Sequence, residues 1–578
     1  MSKKLSGKTH VGELREKRPN GDIYVFERIT QYDPKTKRTR TVRERLKGKI
    51  MAGTEELLPT RSKRPHGMPA VPEGMIAVRT HTGLTDILEW AGRESGIDSD
   101  VGNSFHAGEA AKILSIARYW VATDGNTLPR LESWQNMHNL PYSQGISEDV
   151  YSDLFKSIGL NEDGVQRYFM LRASRLDRKP VIALDSTTVS TYSENQTEAR
   201  QGFNKENDGL NTIKLLTLYS VRDREPIAFA KQPGNIPDVI SVSNAVAQME
   251  SLGVDKPLIV TDNGYCSEHN LMEYINRSMK FLTIMDADVA WIRKEIDSVK
   301  NQLGLMSAVC PFDHHIAGTG VTVMHDFTRR RRRNHGEKQA GDIEHFTRRL
   351  YVYVFKSAER GLRRERDFRE NLLELKRQLE DGRTEFTKSA EEKIARYMVC
   401  TRIGRGGRLK VAFNDDAIQS AMKYFGYFAL VGNQPLEVFE SLGYYRLREK
   451  IEELFADQKG AFDGRRPRTW YPDNLRGRQF VQFVGLGYYC FMVKKIKEVQ
   501  AQLGQNGEGK NAKRLKLEKQ LDKWLDDHSF AQIMDWFDCI ETTTVKTETV
   551  KTRWSTESVE RDRLFLEMLG VTKKQCRY

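Results

Sequence analysis

The sequence predicts a multidomain α/β protein built around a mixed β-sheet that helices cover. Two observations carry that prediction. The chain has 578 residues, 39% apolar and 30% charged, enough for several packed cores and about three to five domains. Its middle portion then alternates short β-branched or apolar runs with helix-length stretches.

The elements read as follows. Residues 21–50 alternate apolar and charged residues around DPKTK, the pattern of a basic hairpin. The Pro/Gly-rich 60–79 reads as a linker. From 83 to 175 the pattern is helical, with Glu109–Val121 amphipathic and Ser147–Ile158 opened by a capping Ser. Val181–Leu184, Leu210–Val221 and Pro226–Ala230 then read as three strands. A helix over Val239–Leu252, a strand at Leu258–Val260, a helix over Ser267–Arg277 and a strand at Phe281–Met285 follow. The order β-β-β-α-β-α-β, a three-strand meander followed by crossover helices, is that of a ribonuclease-H-like core. Beyond Trp291, helical stretches (Trp291–Leu303, Glu359–Glu380) alternate with strands (Gly320–Met324, Arg349–Phe355, Leu409–Phe413, Tyr427–Val431). A long helix from Pro435 to about Lys459, an Arg/Gly-rich loop, an apolar helix near 475–493 and a charged, partly strand-like tail complete the chain.

Charge points to a polyanionic partner. Lys and Arg number 92 against 79 Asp and Glu, a net +13, and residues 1–70 alone hold 18 basic against 8 acidic residues. A basic arm on a nearly neutral body is the pattern of a nucleic-acid-binding protein. The six cysteines (266, 310, 400, 490, 539, 576) lie far apart without a C-x-x-C pair, which argues against a disulfide scaffold and a zinc knuckle. Cys310, Asp313, His314 and His315 cluster, but at a spacing that matches no standard zinc site. The start MSKKLSGKTH has no apolar segment of a secretory signal, and the longest apolar stretch, Phe480–Val493, is too short to span a bilayer. The expected location is therefore cytoplasmic.

Two aspartates follow buried strand runs, Asp185 in VIALDSTT and Asp262 in LIVTDNGY. Taken singly, each reads rather as a strand-end or turn residue. Taken together, two carboxylates on neighbouring strands hold hard cations such as Mg²⁺, which take carboxylate oxygens and keep waters for substrate phosphates. A third carboxylate stands on the long helix. At about 100° per residue, Tyr445, Arg448, Glu452 and Lys459 fall within an arc of about 60°. Beside that row runs the apolar stripe of Leu447, Ile451, Leu454 and Phe455. A carboxylate flanked by two cations and a phenol suits a phosphodiester, with Glu452 on metal and the cations on phosphate oxygens. The alternative is a solvated face with Arg448–Glu452 as an i,i+4 pair.

The spacing Tyr445-x2-Arg448-x3-Glu452-x6-Lys459 resembles the Y-R-E-K signature of bacterial insertion-sequence transposases of the DDE type. The Ser-Thr-Thr after Asp185, the T-D-N-G-Y around Asp262 and the Pro233-Gly234-Asn235 segment fit the same group. The resemblance covers 176–290 and 434–495, which it implies form the catalytic core. Asp262 and Glu452 are 190 residues apart, so 291–433 reads as a large, mixed, partly β insertion domain. Residues 1–79 read as a DNA-binding arm and linker, 80–175 as a helical DNA-binding region, and 496–578 as a C-terminal region suited to dimerisation.

What the resemblance implies is a cut-and-paste DNA transposase. Asp185, Asp262 and Glu452 would be its catalytic triad, holding two Mg²⁺ or Mn²⁺ ions. Tyr445, Arg448 and Lys459 would orient the phosphates of the DNA end. Arg329, Arg330 and Arg331 in a run of five arginines, and Arg465 and Arg466 in the loop after the long helix, would lie on the DNA backbone. Trp291 is a candidate to stack on an extruded base. The implied partners are double-stranded transposon-end DNA and target DNA, with a homodimer in the synaptic complex, no membrane, and a bacterial, nucleoid-associated setting. The rivals are a transposase-derived DNA-binding protein without catalysis and a ribonuclease-H-like nuclease that cuts without joining.

Overall fold

The computed structural model describes residues 9–33, 37–59, 76–125, 127–177, 179–202, 204, 208–330, 343–403, 408–448, 469–503, 512–546, 551–555 and 558–571. They divide into two compact units.

The smaller unit comprises residues 1–81, 133–139 and 541–556. Strands β1 (Thr9–Lys17), β2 (Ile23–Asp33), β3 (Arg38–Ile50) and β4 (Leu57–Pro59) form an antiparallel sheet in sequence order. The basic hairpin is β2–β3, with Asp33 opposite Arg38. Arg28 bonds Glu44 at 2.9 Å and Lys47 bonds Glu13 at 2.7 Å. These exposed pairs contribute little to stability, while Arg15, Arg38, Arg40 and Arg45 are also exposed. Strand β5 (Ile76–His81) belongs to the same unit.

The larger unit opens with α1 (Gly83–Glu94), α2 (Ile97–Ser104), α3 (Ala107–Ala122), α5 (Glu148–Leu160) and α6 (Glu162–Ala173), while the short α4 (Leu131–Gln135) spans the boundary between the units. Next come β6 (Val181–Thr191), β7 (Asn211–Ser220), β8 (Glu225–Pro233), α7 (Asp238–Ser251), β9 (Leu258–Thr261), α8 (Glu268–Asn276) and β10 (Lys280–Asp286). β6, β7 and β8 pair as an antiparallel meander, and β9 runs parallel to both β6 and β10. The order across this part is β10-β9-β6-β7-β8. Near-continuous burial of β6, β7 and β9 matches a sheet covered on both faces.

The segment after β10 continues the same sheet. α9 (Ala290–Val299) leads to β11 (Val309–Cys310), β12 (Asp313–Arg330) and β13 (Ile343–Ser357), a long hairpin paired from Ile316–Ser357 out to Arg330–Ile343. Helices α10 (Ala358–Glu380), α11 (Lys388–Tyr397) and α12 (Asp415–Met422) flank the short pair β14 (Met398–Ile403) and β15 (Arg408–Phe413). This excursion has its own small core of Leu372, Leu375, Tyr397, Met398 and Val411. β16 (Tyr427–Gly432) then returns to lie between β10 and β13, completing nine strands among the described residues.

Helix α13 follows at 438–448. After it come α14 (Pro472–Leu503), α15 (Ala512–Asp527), α16 (Phe530–Asp538), the hairpin β17 (Glu541–Lys546) and β18 (Lys551–Ser555), and α17 (Glu560–Leu569). The hairpin belongs to the smaller unit, where β17 pairs with β5.

Helix α14 binds the early helices to the sheet. Phe480 meets the rings of Phe105, Tyr168 and Phe169, and Phe483 meets Phe169 and Phe229 of β8. Burying each such ring contributes about 2–3 kcal/mol. Two glycines set the closest approach of α14 to α5. A Cβ on Gly477 would collide with the Phe155 carbonyl, and one on Gly159 with the Asp473 carbonyl. Gly477→Ala is therefore expected to destabilise the fold by about 1–3 kcal/mol, the usual result of overpacking, seen as a lower denaturant midpoint. An unchanged midpoint would refute the close-packing role.

No helix among the described residues is long and apolar enough to cross a membrane. Cys266, Cys310, Cys400, Cys490 and Cys539 are free thiols.

Candidate active site

The two aspartates meet because β6 and β9 are parallel neighbours. Leu184 pairs with Thr261, and the next residue along the chain from each is Asp185 and Asp262. Parallel neighbours lie about 4.8 Å apart, so the register alone sets the two backbones side by side. Asp185 does not end its strand, in contrast to the reading from sequence. β6 continues through Ser-Thr-Thr-Val-Ser-Thr, paired to β7 with Asp185 opposite Thr217. The hydroxyl-bearing and β-branched residues after Asp185 favour extended backbone as much as the apolar run before it. Asp262 does leave the ladder, with its carbonyl accepting from the Tyr265 N–H at 3.1 Å. Asn263 in that turn donates to Asp286 at the end of β10, at 2.8 Å.

Helix α13 supplies the next groups. The turn before it is pinned by Asn433, whose side chain accepts from the Phe281 N–H at 3.0 Å and donates to the Met279 carbonyl at 2.8 Å. Tyr353 Oη accepts from the Leu436 N–H at 2.6 Å. So anchored, the helix presents Tyr445 and Arg448, three residues apart and hence on one face. The Tyr445 hydroxyl lies 3.5 Å from Asp262 Oδ1, and Arg448 Nη1 lies 3.6 Å from Asp185 Oδ2. The Arg448 guanidinium also sits 5.2 Å from the centre of the Tyr445 ring. Arg448 is 2% exposed and Asp185 8%. A buried guanidinium is tolerated only beside a carboxylate or other acceptors. Arg446, on the same helix, bonds Asp313 and holds that carboxyl below its ordinary range.

A further set of polar groups adjoins Asp185. Ser186 N–H donates to Asp185 Oδ1 at 2.8 Å, and Ser186 Oγ donates to Asp238 Oδ1 at 2.7 Å. Lys214 of β7 reaches the same Asp238 oxygen at 2.8 Å. Burial pushes the Tyr265 hydroxyl well up, with the charges of Asp185 and Asp238 adding to the effect. Sequence reading passed over Lys214 and Asp238, and took Ser186 and Tyr265 only as parts of the motifs around Asp185 and Asp262. The available signal was the Pro-Gly-Asn segment, which runs directly into Ile236-Pro237-Asp238.

Of the other residues singled out from sequence, Arg329 and Arg330 end β12. Glu452, Lys459, Arg331, Arg465 and Arg466 lie outside the described residues. Trp291 is half-buried on α9, with its ring 4.6 Å from that of His325.

Comparison with known proteins adds the following. A family model described as a transposase DDE domain matches residues 177–478, more than half of the chain. None of the curated proteins compared with the chain matches it. Among solved structures, the cryo-EM structure of a piggyBac transposase synaptic complex with hairpin DNA is similar at 9% identity and a TM-score of 0.33. That alignment covers 79% of this chain and 78% of the other.

Proposed function

The chain belongs to the family of transposases with a DDE domain, and on that premise we propose that it binds the terminal repeats of an insertion element, cleaves the element's ends and joins them to target DNA. The observation that carries this reading is Asp185 on β6 with Asp262 directly after the parallel neighbour β9, and Arg448 and Tyr445 of α13 against them. The strand order β8-β7-β6-β9-β10 supports a ribonuclease-H-like core. Hard carboxylate oxygens on neighbouring strands fit Mg²⁺ or Mn²⁺, so Asp185 and Asp262, with Glu452 as the third ligand, are the residues to hold a pair of such ions. When bound, the ions supply an activated nucleophilic oxygen and charge neutralisation for an in-line displacement at phosphorus.

The chain's own groups then position the substrate. Tyr445, Arg448 and Lys459 orient the phosphates of the DNA end, and Arg329, Arg330, Arg331, Arg465 and Arg466 contact its backbone. The basic sheet β1–β4 binds the terminal repeat, and the helical segment 83–173 adds to that binding. Two ends are processed together, so the active species is a homodimer, acting on DNA in the bacterial cytoplasm.

The test is incubation of the full chain with its own element's ends and Mg²⁺, followed by mapping of products. Cut and joined strands support the reading. Cleavage without joining would make the protein a nuclease, and retention of DNA without cleavage would make it a binding protein.

The arm gives a separate expectation. Deleting residues 1–70 should weaken end binding and flatten its salt dependence, because each lost phosphate contact removes about 0.9 from the slope of log K against log salt. Binding isotherms across a salt series measure this. An unchanged slope would show that the arm takes no part in DNA binding.

A further inference from the structure

Next to Asp185 on β6, Ser186 meets a further carboxylate, Asp238, which a buried ammonium holds in place. Lys214 is only 7% exposed at its side chain, and its Nζ lies 2.8 Å from Asp238 Oδ1. The same ammonium donates to the Ile236 carbonyl. Backbone packing fixes this placement. A Cβ on Gly234 would run into the Thr212 carbonyl, so glycine lets the Pro-Gly-Asn turn rest on β7. Thr212 and Lys214 are two apart on that strand and share a face. The turn therefore delivers the first residue of α7, Asp238, over Lys214.

Asp238 in turn meets the residue after Asp185 and faces the turn after Asp262. Its Oδ1 accepts from Ser186 Oγ, and the Ser186 N–H holds Asp185 Oδ1. Its Oδ2 faces the turn after Asp262, where a Cβ built on Gly264 would stand 3.6 Å away. An acidic residue in the first turn of a helix is favourable without any lysine. Burying the ammonium carries a desolvation cost that an apolar residue on β7 would avoid. That cost is understandable if the position of Asp238 matters to its neighbours.

We propose that Asp238 is a positioning residue of the catalytic centre: fixed by Lys214, it holds Ser186 so that the Asp185 carboxylate keeps the orientation that receives a divalent cation. The inference rests on the reading that Asp185 and Asp262 bind such cations. Groups that orient metal ligands typically change metal affinity or activity 10- to 100-fold, as an order of magnitude, when they are removed.

The experiment titrates Mn²⁺ into the full-length chain without DNA, followed by electron paramagnetic resonance, beside single-turnover cleavage of end DNA over a Mn²⁺ series. The variants are Ser186→Ala and Asp238→Asn, which change one atom or one charge and preserve the packing. Each should weaken Mn²⁺ binding by about 10- to 100-fold, and cleavage should recover most of its rate at saturating Mn²⁺. The double variant should lose no more than the worse single one, because both act on the same Ser186–Asp238 contact. Wild-type Mn²⁺ affinity in both single variants, or additive losses in the double, would overturn the proposal, even with a lowered thermal midpoint. Asp185→Ala separates the two levels. If it abolishes Mn²⁺ binding while Ser186→Ala and Asp238→Asn keep wild-type affinity, the positioning role alone fails. If it too leaves binding unchanged, the metal reading fails and takes this inference with it.

Discussion

Asp185→Ala and Asp262→Ala are each expected to lower single-turnover cleavage of the element's ends by about a thousandfold or more, with binding to the same DNA unchanged. The expectation follows from the register of β6 and β9, which brings Asp185 level with Asp262 just past the end of β9. On the proposed two-metal reading, losing either carboxylate would leave a pair of divalent cations short of a ligand at the point where negative charge develops. Transition-state stabilisation of several kcal/mol is then lost, about a factor of ten for each 1.4 kcal/mol. Glu452→Ala is expected to behave likewise. DNA binding should survive because the basic β1–β4 sheet belongs to a separate compact unit. Gel-shift and single-turnover assays on the same preparations check both halves. A variant that retains near-wild-type cleavage removes its residue from the catalytic set.

Arg448→Ala comes second in size. Its side chain is 3% exposed and its Nη1 lies 3.6 Å from Asp185 Oδ2. Two effects are expected and separable. Removing a buried charged partner of Asp185 should cost on the order of 2–3 kcal/mol of stability. Misplacing the scissile phosphate or the Asp185 carboxylate by even ~1 Å should slow cleavage on the order of a hundredfold. Arg448→Lys should recover part of both, because an ammonium keeps the charge but lacks the planar fork. Cleavage is compared below the thermal midpoint of each variant. Near-normal rates for folded Arg448→Ala would mean that the arginine serves packing and charge balance alone.

The sequence by itself determined the kinds of elements and their order. Alternation and run length are local properties, so the meander β6–β8 and the units α7-β9 and α8-β10 could be read from residue spacing. The 3.6-residue period likewise placed Tyr445 and Arg448 on one face before any packing was known. Tertiary structure decided what those faces meet. No local pattern says that Leu184 pairs with Thr261, yet this register brings Asp185 level with Asp262. Nor does helical periodicity say that Arg448 lies on Asp185, a partner 263 residues away, in addition to any neighbour on its own helix. The strands of 291–433 read as parts of a large insertion, but β12, β13 and β16 extend the core sheet, because β16 satisfies the open edge of β10. Nothing local singles out Lys214 within its strand, and only the docking of the Pro-Gly-Asn turn on β7 reveals it under Asp238. Spacing fixes which side chains share a surface, whereas contacts between distant segments depend on how complete elements pack, and that information is spread over the whole chain.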